Sequence, residues 1–596
     1  MKKKFSRIIV TVIALLLNFV CIHGTYAHDF YVDSNHPKAN DSNPGTGVSP
    51  WLTIQKSANK MVAGDTCYVK AGTYDERVQP RNSGQRNNFI TYKAVGTVIM
   101  RGFYVDGKTH IRIIGFQITH SSHHPYSGLQ LMWAHGCEIL DNFIHHTYAT
   151  GIWLHKKAPS NNVLIRGNTI AYTGCVPGRE IGDMAIHITG DNNIVEYNDI
   201  SHVGDFINIW GKHNIIRNNF FHDLFLSDYP DFKNSEGHHV DGVQYFSDTA
   251  GLLTRTLVEN NFIQNTNVPH AHLIILQDEQ NHGSSELIFR RNVAVRNGSY
   301  AVLADYQFDN FRFLHNTLVD MLNLQSPKAT QCLQFRRGAT GAKILNNIFY
   351  NSARSGGELY FVDSSSISGF YADYNLAYLS GSPSQVHGIY KDPRFINYSN
   401  NDFHLQSISP AIDAAGPITR TTNSGTGMNI GVTDAGYFTD GWGFAEGDYI
   451  RIGTKNFIRI TGINYGNNTI TVDSNISWNI NDPVNLAYQG NGPDMGAYEY
   501  RTSGYQYNIS IASPANGSTV DSPVQIQANI ENEECVRYVI FYVNGIPVAK
   551  AEKSPYTYML NPTGIKRGIY KIEARAHSFY ADSILTRSSE IDLIVR

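Results

Sequence analysis

The chain has 596 residues and a mass of 66.6 kDa, which is too long for one ordinary compact domain. Its 48 Lys and Arg against 51 Asp and Glu give a net charge of −3, and this balance excludes a nucleic-acid binder that tracks phosphates with a basic surface. The 42% of hydrophobic residues excludes a disordered chain.

The first 27 residues have the features of a secretory signal peptide. Lys2 and Arg7 belong to a basic start, residues 8–20 form an apolar run, and small residues stand before the end of the segment at Ala27. We therefore expect a secreted or cell-surface bacterial protein that is a monomer and has no membrane span. Cys21 leaves a lipoprotein open as the alternative. The other cysteines are an odd, scattered set that forms no disulfide framework: Cys67, Cys137, Cys175, Cys332 and Cys535.

A short motif recurs between residues 110 and 380. It consists of an apolar residue, two variable residues, an Asn, one variable residue and a second apolar residue, as around Asn142. Successive copies lie 21 to 31 residues apart, with one interval of 42, and this is the period of a solenoid coil. Alternating runs before most copies predict short strands that bury their apolar faces only when the coils stack. We interpret the recurrent asparagines as structural, because their amides can bond to the next coil: Asn142, Asn168, Asn198, Asn219, Asn261, Asn292, Asn316, Asn347 and Asn375.

This pattern resembles the right-handed parallel β-helix proteins of the pectate-lyase-like superfamily over roughly residues 28–400. The opening Tyr31-Val32-Asp33 and the later Trp51-Leu52-Thr53-Ile54-Gln55 are similar to the first coils of secreted members. The resemblance implies an N-terminal region at residues 28–100 with a capping helix, followed by the β-helix at residues 101–400. Asp41 and Asn43 have a spacing that suits Ca²⁺, although a loop stabilised by its own side chains is favoured.

The alternating strands predict a groove along one face of the β-helix. Outward side chains of successive coils lie about 4.8 Å apart, so residues distant in sequence become neighbours. Alignment on the apolar positions gives one outward ladder of Gln130, Trp153, His187, Asn208 and Gln244. A second ladder beside it contains His155, Thr189, Trp210 and Phe246. Because amides bind sugar hydroxyls and aromatic rings pack on the apolar side of a sugar, we expect a carbohydrate to bind here.

The interval of 42 residues contains a long insertion at residues 223–237 that leads into His239 and Asp241. Asp241 begins its strand as Asp205 begins the preceding one, so we expect the two carboxylates to stack one coil apart. Close carboxylates raise the pKa of one partner, and this is how an acid and a base can be paired. Turn capping through backbone bonds is the alternative for His239 and Asp241.

The predicted catalytic residues are therefore His187 or His239 as the base, with Asp205 and Asp241 as acid or cation ligands. The predicted binding residues are Trp153, Asn208, Trp210, Lys212, Gln244 and Arg336. Lys212 and Arg336 are included because a cation can neutralise the carboxylates of an acidic polymer, with a solvated lysine and a surface salt bridge as the alternatives. The metal is unknown, and Ca²⁺ is the cofactor considered.

Two further units follow the predicted β-helix. Residues 401–503 contain segments that resemble the closing part of the same secreted proteins, and alternating strands between them predict a small β-barrel-like module. Residues 504–596 contain short strands at sandwich spacing and resemble bacterial immunoglobulin-like modules, with a spacer role favoured over sugar binding. The predicted fold class is all-β: a parallel β-helix with an N-terminal cap, a small β insertion and an immunoglobulin-like β-sandwich.

The resemblance implies a lyase or a hydrolase. The leading hypothesis is a secreted polysaccharide lyase that cleaves a uronate-containing anionic polysaccharide by β-elimination. The alternatives are a glycoside hydrolase that uses Asp205 and Asp241, and a noncatalytic carbohydrate-binding adhesin. The lyase motifs for a base or Ca²⁺ ligands do not match residue by residue, so the site assignment depends on the ladder alone. No nucleic-acid partner is expected.

Overall fold

The computed structural model describes most of the chain from residue 27 onward. The described residues are 27–120, 127–174, 184–224, 241–246, 252–266, 271–322, 331–353, 359–381, 385–455, 457–488, 490–500, 508–531, 536–543, 546–551, 554–562, 567–578 and 584–595. The predicted signal peptide up to residue 26, most of the 223–237 insertion, His239, Cys175 and Cys535 lie outside them.

The main body is a parallel β-helix in which each full coil contributes three short strands. Each strand pairs in parallel with the equivalent strand of the next coil, so the coils present three faces, named sheets A, B and C. Sheet A contains the end of Ile90–Asp106 and then Leu129–Met132, Ile152–Leu154, Ile186–Thr189, Ile207–Lys212, Asp241–Phe246, His272–Gln277, Val302–Asp305, Leu333–Phe335 and Tyr360–Val362.

Sheets B and C complete each coil. Sheet B contains Asp29–Val32, the starts of Thr66–Val78 and Ile90–Asp106, and then Ile111–Ile114, Glu138–Leu140, Leu164–Arg166, Ile194–Glu196, Ile215–Arg217, Leu253–Glu259, Ser285–Arg290, Arg312–Leu314, Lys343–Leu345 and Tyr371–Asp373. Sheet C contains the middle of the two long strands and then Gln117–Thr119, Phe143–His145, Thr169–Ala171, Asp199–Ser201, Phe220–Leu224, Phe262–Thr266, Val293–Asn297, Thr317–Val319, Ile348–Tyr350, Leu376–Tyr378 and Ile389–Tyr390.

The recurrent asparagines form a continuous buried ladder, as the sequence predicts. In each step the side-chain amide and the backbone N–H of one Asn donate to Oδ1 of the Asn in the next coil, from Asn142 to Asn375. The step across the 42-residue interval has the same geometry, with 2.9 Å from Asn219 Nδ2 to Asn261 Oδ1. The insertion therefore leaves the stacking of the coils unchanged.

The N-terminal end is closed by the short α-helix Ile54–Lys60, which packs Ile54 and Ala58 into the apolar core. Thr53 is its N-cap and accepts a hydrogen bond from the backbone of Lys56, while the Glu76 carboxylate accepts from Ile54 and Gln55. Asp41 holds the loop before the helix by accepting hydrogen bonds from Leu52 and Thr53. The loop is thus stabilised by its own side chains, which is the favoured interpretation of the Asp-x-Asn spacing.

The post-helix segment covers sheets B and C of the later coils. The hairpin Phe395–Asn397 and Asp402–Leu405, with the 3-10 turn Tyr398–Asn400 between its strands, shares an apolar cluster with Phe220, Val293 and Val319 of sheet C. A six-stranded antiparallel module follows and lies against sheet B. Its strands are Thr419–Arg420, Gly425–Gly431, Tyr449–Ile452, Ile458–Asn464, Thr469–Trp478 and Pro483–Leu486, with the 3-10 turn Gly441–Gly443.

The module is close to a barrel, because a bridge between Thr421 and Val432 joins the two edges of its sheet. It is attached to the β-helix by an ion pair in which Arg290 donates to Asp448 (2.8 Å), and by stacking of Trp442 on His213. The predicted barrel-like insertion is confirmed, and it begins before the strands from which it was predicted.

The C-terminal unit is a β-sandwich. One sheet contains Ile509–Ser513, Val524–Ile530 and Tyr556–Leu560, and the other contains Ser518–Val520, Val536–Val543, Ile546–Ala551, Gly568–Ser578, Ile584–Arg587 and Ile591–Val595. The two sheets enclose their own apolar core around Ile526, Phe541 and Leu593. In the described part of the chain the helices are far shorter than a membrane span requires, and Cys67, Cys137 and Cys332 are buried free thiols.

Candidate functional site

The outward ladder predicted from the sequence is present on sheet A. Gln130 pairs with Trp153, Trp153 with His187, His187 with Asn208, and Asn208 with Gln244. Their strand neighbours, such as Ile186, Ile188 and Ile209, are fully buried in the core, so the ladder residues face outward. Thr189 and Trp210 pair in the second ladder in the same way. The structure therefore places these side chains side by side along one face.

The most organised group on this face is a carboxylate-imidazole pair that joins two coils. Asp241 begins its strand and pairs with His272 of the next coil. Asp241 Oδ1 accepts a hydrogen bond from the His272 backbone N–H (3.1 Å) and lies 2.8 Å from His272 Nδ1. Asp241 is fully buried and His272 is 7% exposed. A carboxylate at Nδ1 favours the tautomer with its proton on Nδ1, so the basic lone pair of the imidazole is on Nε2.

Two amides extend this pair along the ladder. Asn208 Nδ2 donates to Gln244 Oε1, and Gln244 Nε2 donates to Asp241 Oδ2 (3.3 Å). Asn208, Gln244, Asp241 and His272 thus form one hydrogen-bonded chain across three coils. Asn208 Oδ1 and Gln130 Oε1 are buried acceptors without a hydrogen-bond partner among the described residues. Such acceptors are suited to the hydroxyl groups of a bound sugar.

The neighbouring part of the ladder is aromatic. The His187 ring lies 4.4 Å from the Trp210 ring and at a steep angle to Trp153. His187 Nδ1 is 3.1 Å from Met184 Sδ, and its Nε2 is 3.1 Å from Thr189 Oγ1. Trp210 is 5% exposed, whereas Trp153 is half-buried and its ring lies 4.5 Å from the His155 ring in a tilted arrangement. Burial and the nearby lysines Lys157 and Lys156 lower the pKa of His155, so this imidazole is neutral at pH 7.

Asp205 lies beside Asp241, and its Oδ1 accepts a hydrogen bond from the Asp241 backbone N–H (2.8 Å). The expected stacking of the two aspartates one coil apart is therefore observed. Both carboxylates also accept backbone N–H groups, which is the turn-capping geometry given above as the alternative for Asp241. His239, the other candidate base, lies outside the described residues.

The structure does not bring the two predicted cations to this pair. The strand Ile207–Lys212 leaves sheet A at Gly211, and Lys212 pairs with Thr254 in sheet B, with its side chain exposed. Arg336 follows the ladder position of Gln334, three coils beyond Gln244, and its Nε donates to the buried Asp305 carboxylate (3.0 Å). The salt-bridge alternative given for Arg336 is thus the geometry observed.

The described side chains around Asp205 and Asp241 do not assemble a set of Ca²⁺ ligands. Asp241 already accepts hydrogen bonds from His272 and Gln244, and Asp205 accepts one from the backbone. Across the residues that the structure describes, no group of three His, Cys, Asp or Glu side chains is arranged to hold a metal ion.

Known families match two regions of the chain. A family model described as a right-handed β-helix region matches residues 81–221, and a model of a bacterial immunoglobulin domain matches residues 508–574. The main body of the protein is a right-handed parallel β-helix, and the C-terminal β-sandwich is a bacterial immunoglobulin domain. The resemblance predicted from the sequence is confirmed for the fold. No curated protein matches the chain.

Several solved structures are similar at low identity. A pectate lyase is 13% identical with a TM-score of 0.46, over 80% of this chain and 97% of its own. A GH136 lacto-N-biosidase from Eubacterium ramulus is 14% identical with a TM-score of 0.39, over 59% of this chain and 68% of its own. A rhamnogalacturonan lyase is 15% identical with a TM-score of 0.39, over 59% of this chain and 87% of its own.

Sequence reasoning missed His272. The ladder of polar and aromatic residues predicted from the sequence ends at Gln244, because the next residue in this ladder is the apolar Ile275. The column that lies three residues nearer the strand start contains Asp205 and Asp241 and continues to His272. Extending that column by one coil, with Asp241-Gly242-Val243 aligned on His272-Leu273-Ile274, would have placed the imidazole beside the carboxylate.

Proposed function

We propose that this protein is an exported enzyme that degrades a uronate-containing polysaccharide by β-elimination, with His272 as the base. The observation that carries the proposal is the buried Asp241 carboxylate bound to His272 Nδ1 at the start of two adjacent sheet A strands, beside the outward ladder. A base held in one tautomer by a third group is the arrangement that proton abstraction requires. This assignment replaces His187 as the first candidate, because the two ring nitrogens of His187 contact Met184 Sδ, just before its strand, and Thr189 Oγ1.

The reaction follows from this arrangement. His272 Nε2 accepts the proton from C5 of a uronate, the electron pair forms the C4–C5 double bond, and the C4–O bond to the next sugar breaks. The leaving oxygen takes a proton from the imidazolium, which restores the neutral base. Asp241 stabilises the imidazolium while it exists, and the amides of Asn208 and Gln244 are placed to hold the uronate carboxylate and hydroxyls. Asp205 positions Asp241 through its backbone N–H.

The test uses uronate polymers and follows the ultraviolet absorbance of the unsaturated product. We expect His272→Ala to lower kcat by about 10²- to 10⁴-fold, which is the usual contribution of a general base. Asp241→Asn is expected to lower kcat with a smaller change in KM, because the tautomer and charge of His272 change while the groove is kept. His239→Ala in the same assay tests the candidate that lies outside the described residues.

The chain contains a matched control. His387 bonds Asp373 through its backbone N–H (2.9 Å) and Nδ1 (2.8 Å), which repeats the contacts between His272 and Asp241 away from sheet A. We expect His387→Ala to retain full turnover. Unchanged rates in both His272→Ala and Asp241→Asn would contradict the assignment. Reducing ends without absorbance would indicate the hydrolase alternative, and binding without either product would indicate the adhesin.

A further inference from the structure

A second charged group stands at the N-terminal end of the same face. Arg77 precedes Val78, which pairs with Phe103 at the start of sheet A. Its Nη1 donates to the backbone carbonyl of Ser127 (2.7 Å), one full coil beyond its pairing partner Gly102. The guanidinium therefore extends along the β-helix past Gly102, which has no side chain in its path.

Ser127 connects this group to the candidate site. Ser127 stands at the start of its sheet A segment, in the same register position as Thr150, Asp205 and Asp241 of later coils. The backbone shows this register, because Gly128 N–H donates to Thr150 O and Phe206 N–H donates to Asp241 O. Asp241 is four coils beyond Ser127, or about 19 Å at the usual strand spacing. Arg77 and the pair of Asp241 and His272 thus lie along one line of the β-helix, at a separation that a polymer several sugars long can span.

The Arg77 guanidinium has no carboxylate partner in the described structure. Within the described ranges, its Nε and Nη2 are buried and have no hydrogen-bond acceptor, and Ser127 Oγ beside it has no partner either. The two adjacent acids are engaged elsewhere, since Asp75 pairs with Arg101 and Glu76 caps the helix at Ile54 and Gln55. Residues 121–126, which precede Ser127, contain no acidic residue.

Burial lowers the pKa of Arg77 to about 10, so the side chain is still a cation at pH 7. A largely buried guanidinium without a counter-charge is costly, and a ligand carboxylate would supply two acceptors to its planar donors. The paired arginines of nearby coils differ in this respect. Arg112, for example, donates to Glu138 (2.6 Å) on sheet B.

We infer that Arg77 and Ser127 form a distal subsite that binds the carboxylate of a uronate residue in a chain lying along sheet A. The inference deepens the proposed function and rests on it for the class of polymer. The subsite would bind a sugar about four coils from the reacting bond, so it contributes to affinity for long chains and leaves the chemical step unchanged. Trp153, half-buried between the two ends, is placed to pack against a sugar in the middle.

The experiment measures binding in the His272→Ala background, so that turnover does not affect the result. The probes are polygalacturonate, polymannuronate, polyguluronate and hyaluronan, each with its carboxyl-reduced neutral form, in isothermal titration calorimetry. For the acidic polymer that binds most tightly, we expect Arg77→Ala to weaken affinity by roughly tenfold, the value of a charge-assisted hydrogen bond. The carboxyl-reduced polymer should bind equally to both variants, and Arg112→Ala should bind like the parent.

The outcomes are distinguishable. Equal affinity of Arg77→Ala and the parent for the acidic polymer overturns the subsite, as does an equal loss on the carboxyl-reduced polymer, which would indicate a structural role. Lack of binding to all four acidic polymers by the parent also overturns it. Arg77→Lys, which keeps the charge, should recover part of the affinity if Arg77→Ala unfolds the first coils. If the parent protein shows no lyase activity but its binding still depends on Arg77, the proposed reaction is contradicted and the subsite is not.

Discussion

The asparagine ladder gives a stability prediction that can be worked out bond by bond for Asn261. Its Oδ1 accepts hydrogen bonds from the backbone N–H and the side chain of Asn219 (both 2.9 Å). Its Nδ2 lies 3.0 Å from each of Ile216 O, Glu259 O and Asn292 Oδ1. Asn261→Ala removes all five contacts and leaves the backbone N–H of Asn219 buried without an acceptor, whereas Asn219 Nδ2 keeps Val195 O and Arg217 O. The orphaned donor costs about 1–3 kcal/mol and each other hydrogen bond that is lost costs about 0.5–1.5 kcal/mol, so we expect the free energy of unfolding to fall by about 3–5 kcal/mol.

The assay combines urea unfolding with hydrogen exchange read by mass spectrometry. Coils of a solenoid interact mainly with their neighbours, so the loss of protection should be greatest in peptides that contain residues 215–224 and 253–266. Asn429→Ala is the control, because this exposed side chain accepts a hydrogen bond from Thr471, and its removal should change stability by less than about 0.5 kcal/mol. A loss below about 1 kcal/mol in Asn261→Ala, with unchanged exchange, would refute the ladder as a source of stability.

Two further predictions concern buried titratable groups. Arg290 is held by Glu259 and by Asp448 of the barrel-like module, so Arg290→Met removes the hydrogen-bonded counter-charge of two partly buried carboxylates. It should lower stability by about 3–5 kcal/mol in thermal unfolding, whereas Arg112→Met should change it by less than about 1 kcal/mol. Similar losses in both variants would contradict this. Burial lowers the pKa of His315 to about 3 from 6.5, so its contribution to stability is complete above pH 6.5 and is lost as the pH falls towards 3. His315→Asn should therefore show a smaller loss of stability between pH 6.5 and pH 4 than the parent, and parallel pH profiles would contradict the assignment.

The fold could be predicted from the sequence because the repeat is governed by local rules. Each Asn has the same task in every coil, and the alternation around His187 or Asn208 fixes which side chains face outward. The position of a strand within its coil therefore follows from the recurrent Asn motif, even where the interval between copies grows to 42 residues. The barrel-like module and the β-sandwich were predicted for the same reason, since their strands alternate.

The candidate site was predicted less completely, because its chemistry depends on contacts between coils that no local pattern encodes. Asp241 and Asp205 were paired correctly, yet the partner that gives Asp241 a chemical role is His272, which stands 31 residues later. Arg77 stands still further from its contact, since Ser127 is 50 residues away. Lys212 looked adjacent to Trp210 in sequence, but the corner at Gly211 turns it onto another sheet.

The choice of sheet A as the functional face also follows from how the chain covers itself. In the later coils, outward residues of sheet B such as Arg290 and Arg312 hold the barrel-like module, and Phe262 of sheet C packs under the closing segment. Their side chains serve domain attachment, and they are ion pairs or large apolar groups. From Gln130 to Gln244 the outward residues of sheet A are instead mainly imidazoles, amides and indoles, and Asn208 and Gln244 bond to each other across coils. They include two buried acceptors without a described partner, Asn208 Oδ1 and Gln130 Oε1. Polar groups buried in this way are costly unless a ligand completes their hydrogen bonds, so this part of sheet A is consistent with the binding role proposed above.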